Sequence, residues 1–196
     1  MKNFNVINFH ITNKCNYSCK YCFGKFEGNE IPLSDAKQVI DSISQYFSHN
    51  KIKNGRINLA GGEPLLHPQL DAIIDYCYQK DIKVSIVTNG SLLKKKKIEG
   101  WAGKACQIGI SIDSASTSTC LEIGRVCKKS VLCKDTLLSI AQAIKKNGIE
   151  LKINTVVSSF NINEDLTSLY LALSPKKLKL LQMHLVNGVN DACSGY

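Results

Sequence analysis

The chain has 196 residues, 44% of them apolar, enough for a single domain over 1–196 with a sizeable core. It holds no apolar run of eighteen or more, so the sequence excludes a membrane-spanning helix, and MKNFNVINFHIT alternates too regularly for a secretory leader. Lys and Arg number 25 against 16 Asp and Glu, a net charge of +9 that draws anions: nucleic acid, anionic lipid or a small polyphosphate. Nine cysteines without an export signal point to a reducing compartment, the cytoplasm, where thiols bind metal or sit buried.

Strand and helix signals alternate along the chain, the pattern of repeated βαβ units. A strand over 4–12 leads into NKCNYSCKYCFGK, with Cys15, Cys19 and Cys22 at C-x3-C-x2-C spacing. A helix over 34–48 follows, with Ser34 as its expected N-cap and Ala36, Val39, Ile40, Ile43 and Phe47 on one face. A strand over 56–60 runs into AGGEP, and a helix over 68–79 opens with Pro68 in its first turn. A strand over 82–88 ends in TNGS. The helix after it, 91–100, contains Lys94 to Lys97, read as a solvated face. A strand over 106–112 ends in SIDS. A helix over 135–147 stops at Gly148 as C′, and a strand covers 149–157. The last pair is a helix over 163–173, with Glu164 and Asp165 in its first turn, and a strand over 177–186.

Six strands alternating with helices imply an α/β fold with a parallel sheet, and a closed eight-unit barrel usually takes about 250 residues. A partial (β/α)6 barrel with helices outside fits this length better. Strand parity sharpens that reading, because alternate residues face opposite sides. Ile7, Phe9 and Ile11 oppose Asn8, His10 and Thr12. Leu151, Ile153 and Thr155 oppose Lys152 and Asn154, and Leu178 and Leu180 oppose Lys177 and Lys179. A parallel sheet covered on both faces should be apolar throughout. One polar face implies a curled sheet with a wet bore, although lysines on strand six also suit a solvent-exposed edge. The four unusual polar stretches all fall at carboxyl ends of strands, where parallel α/β sheets bind ligands.

Three thiolates in one loop leave a tetrahedral zinc short of a ligand, because no second Cys or His pair follows at suitable distance. A 4Fe–4S cube held by three cysteines keeps one iron free for a substrate. With Tyr21 before the last cysteine, and GGEP one βα unit later, the loop resembles the radical S-adenosylmethionine (SAM) superfamily. That resemblance implies a 4Fe–4S cluster on Cys15, Cys19 and Cys22. It also implies SAM bound through Tyr21, Gly61, Gly62, Glu63, Asn89, Ser111 and Asp113, with an external one-electron donor.

The stretches NFHITNKCNYSCKYCF, INLAGGEP, VSIVTNGSLL, LEIGR, LKINTVVSSFNINEDLTSLYLALSPKKLKLLQ and NGVND are similar, in order and spacing, to viperin and its prokaryotic relatives. The resemblance implies an antiviral enzyme that takes a nucleoside triphosphate to its 3′-deoxy-3′,4′-didehydro analogue. In that chemistry a 5′-deoxyadenosyl radical removes the ribose 4′ hydrogen and the 3′ hydroxyl is lost. Lys152, Asn154, Lys179 and Arg125 would grip the phosphates with help from Lys177, and Asn8 and Thr88 would contact the nucleotide. Neither nucleic acid nor membrane is expected as a partner. A radical SAM enzyme acting on a peptide or a pterin precursor is the alternative, as is a non-catalytic cluster- or SAM-binding remnant.

Two departures stand out. Where viperins carry a glycine-rich basic segment after IGR, this chain reads VCKKSVLCKD, with Lys128 and Lys129 as substitutes. Cys120, Cys127 and Cys133 lie around it at spacings that match no known cluster, and are read as free thiols. The chain also stops short of the helix and C-terminal segment that follow strand six in viperins, which would leave Leu178 and Leu180 uncovered.

Overall fold

The computed structural model describes residues 3–24, 28–128 and 130–190; Lys129 lies outside them. Six parallel strands form one sheet in sequence order: β1 (Val6–Thr12), β2 (Arg56–Gly61), β3 (Lys83–Thr88), β4 (Ala105–Ser111), β5 (Glu150–Val157) and β6 (Lys177–Gln182). Helices α1 (Leu33–His49), α2 (Leu70–Gln79), α3 (Lys95–Gly100), α4 (Thr117–Ile123), α5 (Lys134–Lys146) and α6 (Thr167–Leu173) form the crossovers, with a 3₁₀ turn at Pro64–Leu66. β1 and β6 are the sheet's edges, so the barrel is partial.

The core lies between the sheet and its helices. Ile57, Leu59, Val84, Ile86, Ile108 and Ile153 are sealed from solvent on the same side as Ile40, Ile73, Ile74 and Ile144. Each such side chain, fully buried, is worth about 1.5–3 kcal/mol. The opposite face is polar, as strand parity required. Asn58 donates to Asn8 Oδ1 at 2.9 Å, and Ser85 donates to Asn58 Oδ1 at 2.9 Å, a rung of hydrogen bonds across β1, β2 and β3.

Several local expectations are corrected. Ser34 does not cap α1: Pro32 occupies that position, and the Ser34 hydroxyl turns to Asp35 at 2.8 Å. Pro68 stands outside α2, because His67 Nδ1 accepts the Gln69 N–H at 3.1 Å and holds the chain in a turn until Leu70. The Asn89 side chain likewise captures the Ser91 N–H at 2.9 Å, and α3 starts only at Lys95. Helix α4 was missed although its signals are plain. Ser116 caps it by accepting the Thr119 N–H at 3.4 Å, and Gly124 ends it at φ +81°. α6 starts at Thr167, whose N–H is held by Asp165 Oδ1 at 2.8 Å, so Glu164 is freed for another role. β6 ends at Gln182 opposite the last residue of β5, and Leu178 and Leu180 are exposed as anticipated.

Candidate active site

The cysteine loop is clasped from two sides. Gly62 N–H donates to Thr12 O at 2.8 Å and Glu63 N–H to Lys14 O at 2.7 Å. A Cβ on Gly61 would stand 2.2 Å from Thr12 O, and one on Gly62 2.2 Å from Lys14 O. Both positions therefore demand glycine, Gly61 also by its φ of +133°. On the other side Ser18 N–H donates to Gly124 O at 3.3 Å and Lys20 N–H to Ile123 O at 2.9 Å, so the missed helix α4 supports the loop.

Cys15, Cys19 and Cys22 line one cavity of about 180 Å³ at the carboxyl ends of β2, β3 and β4. Tyr21, Gly61, Gly62 and Thr88 share its wall, as do Asn89, Ser111 and Arg125. Two of the expected SAM contacts stand behind that wall. Glu63 is wholly buried: Oε1 accepts from the Thr88 hydroxyl at 2.7 Å and Leu65 N–H at 3.1 Å, and Oε2 from Asn89 N–H at 2.7 Å. Burial raises its pKa while these three bonds pull it down. Asp113 Oδ1 accepts the Val156 N–H at 2.8 Å, and its Oδ2 meets Arg125 Nε at 3.0 Å and the Tyr21 hydroxyl. Both carboxylates tie strand ends together.

Arg125 stands with the cysteines. It donates to Cys19 Sγ at 3.4 Å, to the Tyr21 hydroxyl at 2.9 Å and to Ser111 O at 2.9 Å, besides its ion pair with Asp113. Burial pushes the Cys15 and Cys19 thiols above the ordinary range, and the guanidinium pulls Cys19 partly back.

The lysines form a second group. Register places Lys152 beside Lys177 and Asn154 beside Lys179 on the polar face. Burial lowers the Lys152 pKa, and Lys179, Lys177 and Arg56 lower it further. Arg56 belongs to β2 and Lys152 to β5, three strands apart, yet Arg56 is near enough to lower the Lys152 pKa. Arg56 Nε is buried without a hydrogen-bond partner. Sequence reasoning missed it, although strand parity puts it on the face of Asn58 and the pattern alone would have found it. Also missed were Tyr17, whose N–H approaches Cys15 Sγ at 3.5 Å, and Asn16, which accepts from Asn89 Nδ2 at 2.8 Å. Glu164 accepts from Ser114 Oγ at 2.6 Å and Ala115 N–H at 2.7 Å. Asn161 donates to Asp113 O at 2.7 Å, so the loop after β5 holds the end of β4.

A family profile described as the radical SAM superfamily matches residues 9–170. The chain belongs to that superfamily. Within it, the chain is 39% identical over 197 residues to an S-adenosylmethionine-dependent nucleotide dehydratase of Selenomonas ruminantium, covering 95% of this chain and 69% of that protein. It is 36% identical to a protein of the same name from Pseudoalteromonas ulvae (91% and 63% covered). It is 32% identical to S-adenosylmethionine-dependent nucleotide dehydratase RSAD2 of Oncorhynchus mykiss (94% and 53%). The chain is thus a member of the nucleotide dehydratase family that spans between about half and two thirds of these relatives. Two solved structures share the fold. Streptococcus suis SuiB bound to precursor peptide SuiA superposes with a TM-score of 0.79 at 19% identity, covering 97% of this chain and 42% of that one. Native anSMEcpe with bound AdoMet and Cp18Cys peptide gives 0.69 at 18%, covering 91% and 50%.

The radical SAM cofactors, a 4Fe–4S cluster and SAM, fit the donor set. Three free thiols line one cavity together with both glycines of GGEP. Three thiolates with room beside them suit a cluster that keeps one iron free. Cys120 is buried against Ser114 O at 3.7 Å and Cys133 bonds Thr136 at 3.1 Å; with Cys127 they are free thiols, as expected.

Proposed function

We propose that the chain carries the radical SAM core of a nucleotide dehydratase, converting a nucleoside triphosphate to its 3′-deoxy-3′,4′-didehydro analogue with an external one-electron donor. Cys15, Cys19 and Cys22 would hold the cluster, and Gly61, Gly62, Asn89 and Ser111 would receive SAM in the cavity beside them. When bound, that pair supplies a 5′-deoxyadenosyl radical.

The chain's own residues bind and orient. Tyr21, Asp113 and Arg125 fix the wall next to Cys19 by hydrogen bonds already made. Thr88 and Glu63 secure the turn that carries the glycines. Lys152, Lys177 and Lys179, with Asn154 and Arg56, offer the triphosphate a cationic seat on the polar face, and Asn8 extends that face across β1. The single observation that carries this substrate is the side-by-side placement of Lys152 with Lys177 and of Asn154 with Lys179, with Arg56 close enough to depress Lys152. Like charges gathered with no described acidic partner are costly until a polyanion joins them.

The test is 5′-deoxyadenosine formation by the iron-reconstituted protein with SAM, a reductant and each of CTP, UTP, GTP and ATP. A yield raised by at least one nucleotide is expected. Yields at the nucleotide-free background with all four would reject the substrate.

A further inference from the structure

Asn190 lies eight residues beyond Gln182, the end of β6, in a segment with no secondary structure, yet it is only 3% exposed. Its side chain is fully engaged. Nδ2 donates to His184 O at 3.0 Å and to Tyr21 O at 3.0 Å, while Oδ1 accepts the Val186 N–H at 2.7 Å. An amide has two N–H groups and one acceptor oxygen, so every group of this one is used. Two of the bonds shape Asn190's own segment, which is closed further by the Val189 N–H on Val186 O at 3.0 Å. The remaining bond reaches 169 positions back, into the cysteine loop.

The target is a particular peptide unit. Tyr21 C=O and Cys22 N–H belong to the same planar group, whose two ends cannot rotate independently. Cys22 N–H donates to Cys19 O at 3.0 Å. Asn190 fixes the opposite end of that plane, and the plane aims the Cys22 side chain. The first half of the loop is held by α4 through Ser18 and Lys20, and Cys19 is backed by Arg125. Among the described residues, Cys22 Sγ itself meets only a local donor, Gly24 N–H at 3.4 Å. Asp113 and Arg125 hold the Tyr21 side chain, and the long-range bond to the peptide unit that joins Tyr21 to Cys22 comes from Asn190.

We propose that Asn190 is a positioning residue for Cys22, setting the third thiol in the geometry a cluster needs. It rests on reading the three cysteines as cluster ligands. Outer partners that orient metal ligands are commonly worth about 10- to 100-fold in metal retention.

The whole chain is compared with Asn190→Ala, which leaves two carbonyls unpaired, Asn190→Asp, which keeps size but loses both donors, and Val189→Ala as control. In the cluster-free, reduced protein, iodoacetamide labelling is followed by mass spectrometry at each cysteine. Cys22 should label several-fold faster in both Asn190 variants, with Cys15, Cys19 and buried Cys77 unchanged. In the reconstituted protein, iron loss to a chelator should be about tenfold faster, and Asn190→Gln, which keeps the amide, should lie between. Unchanged Cys22 labelling, or labelling of Cys77 that rises in step with it, overturns the proposal, the second by showing a merely structural role. A wild-type chain that takes up no cluster would sink the ligand reading instead, and the labelling pattern would still decide whether Asn190 aims Cys22.

Discussion

The two halves of the site are built on opposite electrostatic principles. Around the cysteines the two buried carboxylates have their partners in place: Asp113 with Arg125 and Tyr21, Glu63 with Thr88 and two backbone N–H groups. On the polar face, Lys152, Lys177, Lys179 and Arg56 gather one sign of charge, and burial with the other three cations lowers the Lys152 pKa. The first half is preorganised and stays assembled by itself. The second stores repulsion that a bound polyanion releases. Chemistry that must hold a reactive cofactor rigidly suits the first arrangement, and reversible capture of a substrate suits the second.

Removing one charge from each half should separate the two principles. Arg125→Leu strands a carboxylate that is fully buried, and losing one partner of such a pair costs about 3–5 kcal/mol. Urea unfolding of the cluster-free chain should show that loss. A fall of under about 1 kcal/mol would mean the pair is no scaffold.

Lys152→Ala should do the reverse, leaving the free chain's stability unchanged or slightly improved because it relieves like charges. Its cost should appear in binding, as a nucleoside triphosphate Kd raised by about 10- to 100-fold in calorimetry, the worth of one bond to a charged group. An unchanged Kd would move the substrate elsewhere.

The pH dependence of the two states should have opposite signs. Burial and neighbouring cations hold the Lys152 pKa below 10.5 in the folded chain, while the unfolded lysine keeps its proton to higher pH. Stability of the nucleotide-free protein should therefore rise as pH climbs through the depressed value towards 10.5, since the unfolded state binds more protons there. Triphosphate affinity should fall over the same window, and both trends should flatten in Lys152→Ala.

The smallest effect belongs to the uncovered side of β6. Leu178→Ser should alter stability by within about 0.5 kcal/mol, because Leu178 is already 41% exposed. A larger loss would show that this face is covered in solution.

The fold and the position of the site were legible because period-2 parity and carboxyl-end placement are written locally in each strand. The cysteine loop, GGEP and the paired lysines of β5 and β6 needed nothing more. What stayed hidden depends on contacts between distant segments. Glu63 looks like a ligand residue in GGEP, and only the fold reveals that Thr88, Leu65 and Asn89 also bond its two oxygens. The resemblance grouped Arg125 with the phosphate lysines, and only the fold shows that α4 and its glycine cap also set it beside Cys19. Asn161 and Asn190 read as ordinary loop polar residues and Glu164 as part of a helix's first turn, because their partners lie tens of residues away. Arg56 was within reach of the parity argument and was overlooked.

The lysines of β6 have a further consequence. Among the described residues this strand ends the sheet, one side of its backbone has no neighbouring strand, and its outer face shows Leu178 and Leu180. Such a border invites a second chain to add itself, and lysines along it are a common deterrent. The cations proposed to recruit substrate would thus also keep molecules apart, and a guest that neutralised them would lower the barrier to self-association. Light scattering at saturating triphosphate should register more association than in its absence, so solubility and saturation would be opposed in this protein.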